Sequence, residues 1–153
     1  MSNPYIVGGW VSGALHYGRR GLISHLLEGP NHALWVVGTR RVGKTSLLRQ
    51  IEALTLTHPQ YVPLYVDLQG ISTRAEFNQE LHYALDEVAA RFDAQGIDAA
   101  ALAQEDELGL LRTLRRQLLA VERTLLLLID EAEALISIGQ PDPALLQLSL
   151  IHI

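Results

Sequence analysis

Three short apolar runs limit what this chain can become more than any other feature. They are residues 33–37 (ALWVV), 61–68 (YVPLYVDL) and 124–129 (TLLLLI). Each is hydrophobic nearly throughout rather than alternating, as expected of strands covered on both faces in a parallel sheet. Pro63 lacks an amide hydrogen and counts against a central position at the start of the second run. The segments between the runs carry helical periodicity. Residues 19–28 place Leu22, Ile23, Leu26 and Leu27 on one side, and Gly29-Pro30 stops that helix. A second helix is predicted over 44–54. Thr73 to Glu76 fits a capping box and opens a helix with Phe77, Leu81, Leu85, Val88 and Phe92 on its apolar face. Gly96 and the alanine-rich stretch after it read as a connection. A helix over 107–121 aligns Leu108, Leu111, Leu114, Leu118 and Val121, and a last one is predicted near Asp142-Pro143. Residues 1–18 read as irregular. The fold class is α/β, a three-layer sandwich around a mostly parallel sheet.

The composition supports a packed domain. With 48% hydrophobic and 19% charged residues, disorder is excluded. The 153 residues give room for one ordinary domain. A net charge of -5 argues against a dedicated nucleic-acid module. There is no cysteine, which removes disulfides, thiolate chemistry and cysteine-based zinc sites and suits a reducing cytosol. The run 125–129 is too short to span a bilayer. No basic residue precedes the apolar stretch near the N-terminus, so no signal peptide is expected. The six histidines show no metal-ligand spacing. Of twelve basic residues eleven are arginine, and Lys44 is the one lysine.

That lysine lies in Gly38-Thr39-Arg40-Arg41-Val42-Gly43-Lys44-Thr45, which fits G-x-x-x-x-G-K-[ST] at every fixed position. The motif stands between a predicted strand and a predicted helix, the context it requires. Its glycines let successive amides curl around a phosphate, and the helix that follows adds the positive end of its dipole. Lys44 would reach the β- and γ-phosphates as a compact cation, and Thr45 would give its hydroxyl to Mg²⁺. Two readings stand for Arg40 and Arg41: attraction of an anionic nucleotide, or solvated positions on the loop's outer edge.

The third run ends in Asp130-Glu131. An aspartate there, downstream of a phosphate loop, can hold Mg²⁺ through its water shell. A glutamate beside it can take the proton of an attacking water. The other reading of Glu131 and Glu133 is acidic residues favoured by a helix N-terminus. No N-K-x-D guanine motif is possible with one lysine, and Glu133 stands where a translation-type GTPase has glycine. ATP is therefore the expected nucleotide.

These residues resemble the ATPase core of the AAA-like and STAND (signal-transduction ATPases with numerous domains) group. The likeness rests on residues 40–48 (RRVGKTSLL, with Ser46), on 128–133 (LIDEAE) and on His16-Tyr17-Gly18-Arg19-Arg20. The opening 3–9 (NPYIVGG) also looks like the lead-in of such domains, so the resemblance covers roughly residues 3–138. It implies a P-loop NTPase fold, ATP and Mg²⁺ as ligands, and Tyr17, Gly18 and Arg19 on the adenine side. Arg20 stands where an acidic residue is usual. Asp67, ending the second run, reads as a support near the magnesium or as a simple strand terminator.

The resemblance also implies a strand between the phosphate-loop strand and the Asp130 strand, following Glu131 in sequence and ending in a polar sensor. Residues 149–153 could at most begin it. The expectation is therefore the N-terminal part of a P-loop ATPase domain, with 1–30 as lead-in and first helix and 33–153 as nucleotide-binding core. The expected function is Mg-ATP binding, with hydrolysis in the full-length protein driving a regulatory or signalling switch. The alternatives are a non-catalytic nucleotide-binding or interaction module and a DNA-associated ATPase fragment. Other domains or protomers are the expected partners, with no membrane, nucleic acid disfavoured, and a cytoplasmic location.

Overall fold

A computed structural model describes residues 19–29, 34–39 and 41–139. Helix α1 (Arg20–Glu28) is followed by α2 (Lys44–Thr55) and strand β1 (Tyr61–Asp67). Then come α3 (Arg74–Ala94), the short α4 (Ala99–Leu102), α5 (Glu107–Ala120), strand β2 (Thr124–Asp130) and α6 (Glu133–Gly139). The two strands pair in parallel, from Tyr61 opposite Thr124 to Asp67 opposite Asp130. Parallel neighbours need a long crossover, and α3, α4 and α5 form it.

The backbone bonds at the ladder ends fix which way each amide points. Thr124 donates to the Gln60 carbonyl and Leu68 to that of Asp130, so even-numbered residues of β1 turn their backbone groups to β2 and odd-numbered ones turn theirs away. Pro63 thus faces its missing donor outward, where no ladder bond is lost. Its carbonyl accepts from the Arg91 guanidinium at 2.7 Å.

The side chains divide by the same alternation. Val62, Leu64 and Val66 enter the larger core with Phe77, Leu81 and Phe92 of α3 and Leu110, Leu114 and Leu118 of α5. Tyr65 and Leu128 emerge on the opposite face, against Leu47 and Ile51 of α2 and Ile23 of α1. Helices therefore cover both faces, which is why the strands are apolar throughout. Leu64, Phe92 and Leu114 have no exposure at all, and burial of each such side chain is worth about 1.5–3 kcal/mol. The predicted capping box forms: the Thr73 hydroxyl accepts from the Glu76 amide, and the Glu76 carboxylate accepts from the Thr73 amide.

Some expectations need correction. Residues 34–37 do not form a strand, and Trp35 and Val37 are 55% and 89% exposed. An apolar run becomes a strand only when a neighbour takes its amides, and among the described residues the sheet holds only β1 and β2. In α5 Leu110 is fully buried beside Leu114, while Leu108 is only partly covered. The alanine-rich connection contains α4, capped by the Asp98 side chain on the Ala101 amide. Helix α6 starts directly after the strand end. The helix predicted near Asp142-Pro143 and the start of a strand at 149–153 lie outside the described residues, as do residues 1–18.

Candidate functional site

Gly43 sets the geometry of the loop. Its φ of 83° lies in the left-handed region, which a side chain would make costly. It is the N-cap of α2, and its carbonyl accepts from the Leu47 amide to open the helix. No side chain caps this end and no acidic residue occupies its first turn. The first-turn amides and the dipole therefore face the loop, an arrangement suited to an anion. At Gly38 a Cβ would stand 3.0 Å from a Val42 methyl.

Lys44, the first residue of α2, folds back over the loop. Its Nζ donates to the carbonyls of Gly38 at 2.9 Å and Thr39 at 3.4 Å. Thr45 and Ser46 follow in the first turn of α2, both half-buried. Arg19 grips the loop from the other side, donating to the carbonyls of Gly43 at 3.0 Å and of Val42. Those contacts brace the loop. Tyr17, Gly18 and Arg40 lie outside the described residues.

Asp130 ends β2 on the face covered by α2 and is 5% exposed. A buried carboxylate needs its oxygens satisfied. The Tyr65 hydroxyl donates to Oδ2 at 3.0 Å and the Glu131 amide to Oδ1 at 3.0 Å. Burial above all, then the charge of Asp130, keeps the Tyr65 phenol far above its ordinary range, so the hydroxyl stays protonated as the donor. Each carboxylate oxygen retains a lone pair for a further donor. The Asp130 carboxylate and the Thr45 hydroxyl are hard oxygens, the kind Mg²⁺ takes beside phosphate, and among the described residues no three acidic or histidine side chains come together to hold a metal by themselves.

Glu131 has a φ of 51° and Arg41 one of 65°, left-handed conformations that cost on the order of 1–3 kcal/mol each. A side-chain hydrogen bond with Glu133 and then the charge of Glu133 hold the Glu131 carboxyl above the usual range, while Lys44 opposes this. An open cleft of about 320 Å³ adjoins Glu131, between the turn after β1 (Leu68 to Ile71) and the start of α6. The ends of parallel strands are where α/β folds bind ligands.

Tyr65, Arg49 (its guanidinium over the Tyr65 ring) and Glu133 are residues near Asp130 that the sequence pattern passed over or gave another role. Tyr65 sits in an apolar run and looks like core until the strand register brings it to Asp130. Asp67 proves a turn former, its Oδ1 accepting from the Gln69 amide.

The fold and site define a parallel α/β domain with a glycine-cornered loop leading into a helix opposite an acidic strand end. The AAA domain family, an AAA-type P-loop ATPase family, matches residues 29–153, and the chain belongs to it. No curated protein and no solved structure matches the chain. Among the described residues no helix is long and apolar enough to cross a membrane.

Proposed function

We propose that the domain binds Mg-ATP and, within a full-length protein, hydrolyses it to drive a regulatory or signalling switch of the STAND kind. The observation that carries this is the loop itself: the uncapped start of α2 behind Gly43, with Lys44 curled over the Gly38 and Thr39 carbonyls. Phosphate oxygens would accept from the loop amides and from Lys44, which moves from carbonyl to phosphate at little cost. Thr45 and Asp130 would hold the magnesium, which supplies charge neutralisation at the phosphates. Glu131 is the base for the attacking water. Its place directly after Asp130 at the strand end favours that role. Arg19 acts on the loop, and with Tyr17 and Gly18 on the adenine side. A cytoplasmic location and other domains or protomers as partners complete the reading.

Titration calorimetry of Mg-ATP against the unaltered chain and Lys44→Ala tests binding, and equal affinity would sink the loop assignment. Phosphate release with and without Glu131→Gln tests the chemistry. Release unaffected by the substitution would leave a nucleotide-binding module in place of an ATPase.

A further inference from the structure

We infer that Tyr65 is a positioning residue for Asp130, fixing its carboxylate in the orientation that takes up magnesium with the nucleotide. The inference rests on the Mg-ATP reading of the site. Tyr65 and Asp130 are 8% and 5% exposed, so water does not readily replace a bond between them. The terminal torsion of an aspartate is soft. Here one donor sits on each oxygen, the Tyr65 hydroxyl on Oδ2 and the Glu131 amide on Oδ1, both at 3.0 Å. The pair of bonds sets the plane of the carboxylate, and with it the direction of the lone pairs left for metal-bound water.

The ring of Tyr65 is held in turn. The Arg49 guanidinium lies 3.3 Å from its centroid, and Arg49 is fixed to Glu52 by an ion pair of 2.9 Å. Both belong to α2, the helix that begins with Lys44. A physical line therefore runs from the phosphate-loop helix through a stacked cation and a phenol to the carboxylate at the end of β2. A buried tyrosine needs some partner for its hydroxyl, and many acceptors would serve. The one it meets is the carboxylate that ends the strand opposite the loop.

Loss of a hydrogen bond behind a metal-directed group commonly lowers metal affinity 10–100-fold. Tyr65→Phe keeps the ring and the Arg49 stack and removes the hydroxyl alone. ATP affinity is measured with Mg²⁺ and with EDTA for the unaltered chain, Tyr65→Phe and Lys44→Ala. In Tyr65→Phe the tightening that Mg²⁺ brings is expected to fall about tenfold, while affinity in EDTA stays within about twofold of the unaltered chain. Equal tightening in both overturns the inference and leaves the Mg-ATP reading intact. An unaltered chain indifferent to Mg²⁺, or to loss of Lys44, overturns that reading instead, and the inference falls with it. Should Tyr65→Phe not fold, the unaltered chain still decides by NMR. The Tyr65 hydroxyl proton should shift when Mg²⁺ is added to the ATP complex, and a resonance that stays in place overturns the inference.

Discussion

The Arg19 guanidinium donates to the Gly43 carbonyl at 3.0 Å across 24 positions of sequence, tying the residue before α1 to the turn that opens α2. A second nitrogen of the same group reaches the Val42 carbonyl. The loop that carries the proposed phosphate site is thus held from outside as well as by Lys44. Hydrogen bonds to charged groups contribute about 1.5–3 kcal/mol, less where water competes. Arg19→Ala should weaken Mg-ATP binding several-fold without unfolding the domain. Calorimetry beside circular dichroism checks this, and undiminished affinity would show that the loop holds its own shape.

The start of α3 should lose stability in acid. The Ser72 backbone and hydroxyl and the Thr73 backbone all donate to the Glu76 carboxylate, which holds its pKa below the ordinary glutamate value. A depressed folded value means a stabilising contribution present in full above the unfolded pKa. That contribution disappears as pH falls through the folded value. Glu76→Gln should therefore flatten the acid limb of the stability profile. Urea melts at a series of pH values from neutral downward read the slope. Parallel curves for the two proteins would contradict the account.

An ion pair joins the starts of α3 and α5. Arg74 donates to Glu107, a carboxylate only 3% exposed. Arg74→Met would leave that carboxylate short of a charged donor, at a cost of about 1–3 kcal/mol. The lower part of that range is expected, because the Arg74 side chain is itself 42% exposed. Denaturant unfolding measures the loss, and Glu107→Gln with arginine retained should cost less.

Packing sets the largest single effects. Leu64 of β1 has no exposure, whereas Leu119 of α5 is 66% exposed. Leu64→Ala should cost about 2–5 kcal/mol. Leu119→Ala should stay within about 0.5 kcal/mol. Guanidinium melts of the two variants should differ by that margin, and similar midpoints would place the core elsewhere.

Local rules carried much of this structure into the sequence. The capping box at Thr73, the apolar face of α3 and the apolar run ending at Asp130 depend on neighbours within a few residues, and all were readable. Residues 34–37 were not, because an apolar run names a strand only once a partner exists. The Tyr65–Asp130 bond spans 65 positions and depends on the register of two strands, which no local pattern encodes. Glu131 and Glu133 were visible as a pair, but the left-handed turn at Glu131 was not. The α4 helix escaped because four residues are too few to show a period.

Pro63 and Arg91 have a consequence for how this sheet can grow. A strand laid against the outer side of β1 would find no amide hydrogen at Pro63. It would also find that residue's carbonyl already occupied by a guanidinium. Unprotected edges recruit other chains, and this one is spoiled at its middle. The outward amides of β2, at Leu125, Leu127 and Ile129, meet no proline. Extension of the sheet is thus directed to the flank of the strand that carries Asp130, so any newcomer would arrive beside the acidic end of β2 rather than behind it.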